Sequence, residues 1–145
     1  MESDLHGLFK EVIYNELEKE GYIIYVEPSE SPLERLRWSY YRPDVLGVIC
    51  KETEFRLVLA ECETNPKIRR IKGKVSKIRR WLNFQKRLNE KHLLRLLLVI
   101  PPGMLHKVNC FEIRRLWEIW IVNHRGKIIH KIPNHEASRL LASAS

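Results

Sequence analysis

Three carboxylates, Asp44, Glu61 and Glu63, lie in a stretch that otherwise reads as a plain β-hairpin. Arg42 to Cys50 and Phe55 to Glu63 are apolar, β-branched runs, and the polar tetrad Lys51-Glu52-Thr53-Glu54 separates them. With Lys51 opposite Glu54, paired residue numbers sum to 105, so Asp44 faces Glu61. Glu63 then projects from the same face as Glu61. Carboxylates directly opposite in a ladder have Cβ atoms roughly 4.5–5.5 Å apart and repel. A divalent cation removes the repulsion. Asp44, Glu61 and the carbonyl of Cys62 are hard oxygen ligands suited to Mg²⁺ or Mn²⁺. Such an ion turns bound water into hydroxide and neutralises charge developing on a phosphate. The plainer alternative pairs Glu61 and Glu63 with Arg42 or Lys67 as structural ion pairs.

The elements that must position these residues are legible in order. Leu5, Leu8, Phe9, Val12, Ile13 and Leu17 recur at helical spacing, with Ser3 or Asp4 as cap and Gly21 as terminator. On the helical wheel Glu16 falls in the apolar stripe, Glu11 opposite it and His6 at its edge. Tyr22 to Glu27 reads as a strand. A loop follows over residues 28–41, carrying Arg35, Arg37, Trp38, Tyr40 and Tyr41, a mixture that suits unpaired bases and equally suits a loop folded onto the sheet.

After the hairpin, Asn65-Pro66 opens a helix, whose apolar stripe is Ile68, Ile71, Val75, Ile78 and Leu82. His92 to Ile100 is a buried strand closed by Pro101-Pro102-Gly103. A short helix is expected within 105–117, a second hairpin about Asn123-His124-Arg125-Gly126, and a terminal helix over 134–142. A first strand, a meander and a returning helix bring Glu27, His6 and Glu11 to the sheet edge that holds Asp44 and Glu61.

Charge is divided unevenly. Residues 1–65 hold 7 Lys/Arg against 14 Asp/Glu, and residues 66–145 hold 19 against 4. Lys67 to Lys91 contains 11 basic residues and the single acid Glu90. Without acidic partners along the helix, phosphate contact is the better explanation for this run. The candidate contacts are Arg69, Arg70, Lys77, Arg80, Arg87 and Lys91, together with Arg42. A solvated surface of thermophile type is the competing account. No apolar run approaches the ~20 residues of a membrane helix, so no membrane partner is expected. Cys50, Cys62 and Cys110 show no ligand spacing and read as reduced thiols of a cytoplasmic chain. One domain is expected over 1–145, with a core at about 5–100 and an extension at about 104–142.

Arg-Pro-Asp44, 16 intervening residues, then Glu61-Cys-Glu63 within an α-β-β-β-α-β order resembles the PD-(D/E)xK nuclease superfamily. That group includes restriction endonucleases and archaeal Holliday-junction resolvases. The resemblance spans about residues 5–100. It implies a restriction-endonuclease-like α/β core, a mixed sheet flanked by helices with a C-terminal hairpin added. It further implies a Mg²⁺- or Mn²⁺-dependent phosphodiesterase of repair or recombination type, acting on DNA with RNA as the other candidate. A homodimer is one assembly it implies. Asp44 and Glu61 would be metal ligands and Glu11, less readily Glu16, an assisting acid; His6 matches a histidine found in some branches.

Glu63 departs from the pattern, because a lysine usually stands there. Lys67, one turn from Glu63, is the first choice to replace it and Lys74 the second. The alternative function is a non-catalytic nucleic-acid-binding protein on the same fold; a weaker third is an interaction subunit whose acidic and basic halves bind sister chains.

Overall fold

The computed structural model describes residues 4–28, 41–50, 55–84 and 92–135. The loop side chains Arg35, Arg37, Trp38 and Tyr40, the turn at 51–54, Arg87, Lys91 and the expected terminal helix beyond 135 lie outside them. Chain order is α1 (Asp4–Lys19), β1 (Ile23–Val26), β2 (Val45–Cys50), β3 (Phe55–Cys62), α2 (Ile68–Phe84), β4 (His92–Ile100), a 3₁₀ turn (Leu105–Lys107), α3 (Phe111–Leu116), β5 (Trp117–Val122) and β6 (Ile128–Ile132). The six strands form one sheet in sequential order. β1, β2 and β3 form an antiparallel meander. β3–β4 and β4–β5 are parallel, each joined through a helix, and β6 returns antiparallel on β5. This is the expected α/β architecture, a mixed sheet flanked by helices with a C-terminal hairpin.

Helix α1 forms because its apolar residues repeat on one side, and Phe9, Ile13 and Leu17 are fully buried. It stops at Gly21, whose φ of 95° lets the amides of Gly21 and Tyr22 return to the carbonyls of Glu18 and Leu17. The sheet separates two apolar layers. One packs Leu46, Leu57, Leu59, Leu96 and Leu98 against Ile71, Ile78 and Trp81 of α2 and Ile113 of α3. The other packs Val45, Val58, Ala60, Leu97 and Val99 against α1. β4 sits between parallel neighbours with both faces covered, which explains its apolar run from Leu96 to Ile100.

The C-terminal end of α1 is fixed by polar contacts. Arg95 makes a two-pronged contact with Glu118 at 2.9 and 3.1 Å and also reaches Glu20 and Tyr22. The helix's N-terminal half is thereby directed to the opposite end of the sheet, where Asp44 lies. At the hairpin turn, Gly126 has a φ of 81°, and a Cβ there would come within 3.2 Å of Leu8. Among the described residues, no helix is long and apolar enough to cross a membrane.

Ile78→Ala should lower stability by about 2–5 kcal/mol, because it empties a fully enclosed position between α2 and the sheet. Ile23→Ala, on a strand position 61% exposed, should change it by less than about 0.5 kcal/mol. Urea unfolding of the two variants checks this layering, and equal losses would contradict it.

Candidate active site

The hairpin register holds from Cys50↔Phe55 to Val45↔Ala60, every pair summing to 105. It ends there. The amide of Asp44 donates to the carbonyl of Ala60 at 3.1 Å, and its carboxylate Oδ2 accepts from the amide of Cys62 at 2.8 Å. Asp44 therefore does not stand opposite Glu61 in a ladder as the register predicts. Its side chain replaces a carbonyl as the partner of the Cys62 amide, which brings it beside α1, with His6 Nε2 at 3.4 Å from Oδ2.

Glu61 points to the α2 side of the sheet and is 2% exposed. Lys74 Nζ lies 3.2 Å from its Oε1 and 2.9 Å from Glu63 Oε1, so one ammonium bridges both carboxylates. The Tyr41 hydroxyl donates to Glu61 Oε2 at 3.4 Å, while its ring packs edge-on to Trp81. Glu63 is also buried, and Arg70 reaches its Oε2 at 3.3 Å. Burial, reinforced by the neighbouring charges of Asp44 and Glu63 and opposed by Lys74, pushes the Glu61 carboxyl up to about 8. Burial raises the Tyr41 hydroxyl well above its ordinary value, aided by Glu61 and Asp44. Burial alone would lower Lys74, but Glu61 and Glu63 together outweigh it and the ammonium is held above its usual range.

A second lysine completes the edge. Lys10 is 5% exposed and its Nζ lies 2.7 Å from Glu27 Oε1. Glu27 has a φ of 45°, a left-handed conformation costly for a residue with a Cβ. Its amide donates to the carbonyl of Asp44 at 2.8 Å. The strained turn after β1 thus fixes the main chain of Asp44 and delivers a counter-charge to Lys10.

The structure brings together Asp44, Glu61, Cys62, Glu63, Lys74, His6 and Glu27. It does not bring Lys67, which is exposed before the start of α2. Lys74, nearly two turns further on, holds the acids instead. Glu11 is exposed as well. The α1 residues facing the edge are His6 and Lys10, one turn apart, and Glu11 lies about 100° round the helix from Lys10. Glu16 accepts from Lys131 of β6 at 2.6 Å, which holds its carboxyl below the usual range. Arg42, Arg69, Lys77 and Arg80 are exposed. Arg70 is exposed too but engages Glu63. Lys10 was not among the residues expected from sequence; Tyr41 was expected only as a loop aromatic suited to unpaired bases or to folding onto the sheet, and it is buried against Trp81. Lys10 had a signal, since on the wheel it lies about 20° from Leu17, within the buried stripe. Tyr41 had only its place three residues before Asp44.

The ligand chemistry fits a hard divalent ion. Asp44 and Glu61 supply oxygens at one sheet end, and Glu61 is a carboxyl that burial keeps from ionising without added positive charge.

No protein family and no curated protein matches the chain. Among solved structures, it is similar to an XisH family protein from Nostoc punctiforme, with 16% identity, a TM-score of 0.49, and coverage of 86% of this chain and 98% of that one. It is also similar to an fdxN element excision controlling factor protein from Anabaena variabilis, with 13% identity, a TM-score of 0.47, and coverage of 87% and 98%. At these values neither match assigns an activity.

The raised carboxyl has a thermodynamic signature. Between its ordinary value of 4.5 and about 8, Glu61 keeps its proton in the folded chain and loses it in the unfolded one. Glu61 therefore contributes stability that is present at low pH and lost as pH rises through this window, by at most about 1.4 kcal/mol per pH unit. In metal-free buffer, Glu61→Gln should remove this downward component of the pH profile. Parallel urea-unfolding profiles for wild type and variant from pH 5 to 8 would contradict the assignment.

Proposed function

We propose that the chain is a divalent-metal-dependent nuclease that hydrolyses phosphodiester bonds in DNA, of repair or recombination type. The observation that carries this reading is the Glu61 carboxyl, buried beside Asp44 and bridged by Lys74 to Glu63. In this reading Asp44 and Glu61 would hold Mg²⁺ or Mn²⁺, which would supply activation of water and neutralisation of charge on the phosphate. Lys74 takes the position of the motif lysine, from the following helix instead of the strand. It keeps Glu61 and Glu63 apart in charge and offers an ammonium to orient water or a phosphate oxygen. Tyr41 fixes the second oxygen of Glu61, so the carboxylate presents one orientation. Arg69, Lys77 and Arg80 on the exposed side of α2 contact phosphates, which position a duplex without specifying its sequence. Arg70, held by Glu63, connects that surface to the acidic edge.

A second reading has its own observation. Lys74 and Tyr41 already engage both oxygens of Glu61, as in a purely structural cluster of a nucleic-acid-binding protein. Cleavage of branched, single-stranded and linear DNA with Mg²⁺ or Mn²⁺ separates the two. The nuclease reading predicts cleavage by the wild type, abolition by Asp44→Asn, and loss of roughly 10²–10³-fold in Lys74→Met, the range for removing one preorganised donor. DNA binding should survive in both variants and weaken steeply with salt. Wild type that binds every substrate and cuts none favours the structural cluster, and a flat salt response removes nucleic acid as the partner.

A further inference from the structure

The acidic pair faces the α2 side of the sheet end, and the α1 side presents a different donor set. Strand alternation turns Cys62 away from Glu61, into the layer beneath α1, where it is 3% exposed. His6 Nε2, a carboxylate oxygen of Asp44 and Cys62 Sγ all lie within 4.8 Å of one another. They come from three separate elements: α1, the residue preceding β2 and the last residue of β3. We propose that His6, Asp44 and Cys62 form a second metal site, selective for a thiolate-binding ion such as Zn²⁺, and exclusive of Mg²⁺ because both ions claim Asp44.

The donor chemistry argues for this. Mg²⁺ gains nothing from a thiol, whereas imidazole with thiolate is a preferred set for Zn²⁺, and nitrogen- and sulfur-containing sites bind it more tightly than Mn²⁺. Two ligands on one tetrahedral zinc stand roughly 3.3–3.8 Å apart, so the trio needs to close by about an ångström at most. The ring nitrogen and carboxylate are already 3.4 Å apart, and both side chains are 22% exposed, which leaves an entry path and a place for water as fourth ligand. Main-chain bonds hold Asp44 on both sides, with its amide on Ala60 and its carbonyl on the Glu27 amide. Burial, with the Asp44 and Glu61 charges beside it, holds the Cys62 thiol in its protonated form, so the ion must displace that proton; Glu27 balances the neighbouring Lys10 ammonium at 2.7 Å.

One consequence rests on the nuclease reading: an ion on the α1 side withdraws Asp44 from Glu61, so Zn²⁺ inhibits cleavage and excess Mg²⁺ reverses the inhibition. Binding itself does not rest on that reading, and the experiment keeps the two apart. The full chain is titrated with Co²⁺ as a spectroscopic substitute, with absorption recorded in the near-ultraviolet sulfur-to-cobalt band and in the visible. A stoichiometric band is expected in the wild type, displaced by equimolar Zn²⁺ and by Mg²⁺ only in large excess. It should vanish in Cys62→Ser, fall at least tenfold in apparent affinity in His6→Gln, and persist in Cys50→Ser and Cys110→Ser. His6→Gln alters a partly exposed helix position and serves if Cys62→Ser does not fold. Absence of the band, its survival in Cys62→Ser, or unchanged affinity in His6→Gln overturns the site. A wild type that shows the band but never cuts DNA retires the nuclease reading and leaves the site standing.

Discussion

A carboxyl at the end of β3 is buried with too little positive charge to ionise it fully, and the surrounding sheet end is arranged about that deficit. Removing Glu61 from water raises it to about 8, even with the Lys74 ammonium 3.2 Å away. Breaking a buried pair of this kind by deleting one partner is costly, whereas adding a cation is favourable. Lys74 already answers to both Glu61 and Glu63, and Arg70 gives Glu63 a second partner. Asp44 adds a further negative charge close by, with His6 Nε2 3.4 Å from its Oδ2. The surplus of acid at this edge is what a divalent ion would neutralise.

The two faces of the sheet divide the work of placing these groups. On one face α2 brings Lys74 and Arg70 over β3, held down by Ile71, Ile78 and Trp81. On the other α1 brings His6 and Lys10 to the same end, its far end fixed by Arg95, Glu118 and Glu20. Asp44 lies at the boundary because it leaves the ladder one residue before β2 begins. Its carboxylate is therefore within reach of groups from both layers, Glu61 on one and His6 and Cys62 on the other. The left-handed turn at Glu27 locks that boundary residue in place through a main-chain hydrogen bond.

Local patterns in the sequence predicted the elements well, because they depend on spacing the chain carries with it. A polar tetrad between β-branched runs was enough to set the hairpin register, and the Ile71–Ile78 stripe was enough to place α2, although the helix begins at Ile68 and not at the expected Asn65-Pro66 cap. The end of the ladder was not legible, since a side chain took over a main-chain partner when Asp44 bonded the Cys62 amide. The choice between Lys67 and Lys74 was likewise tertiary. Both flank the apolar stripe, but only Lys74 lies on the part of α2 that runs over the buried acids. Glu11 was favoured on a motif resemblance although the wheel set it opposite the apolar stripe, and its side chain is exposed. Lys10 shows the converse, a lysine whose angular position beside Leu17 marked it as buried while its charge suggested a surface.

Calorimetry of Mg²⁺ binding near pH 7, repeated in buffers of different ionisation heat, measures how many protons leave the protein as the ion binds. If the ion is held by the Asp44–Glu61 pair, it displaces the proton that burial keeps on Glu61. Release of close to one proton per Mg²⁺ is expected from the wild type, and almost none from Glu61→Gln, whose affinity should also fall. Binding with no proton release, or release unchanged in Glu61→Gln, would contradict the account.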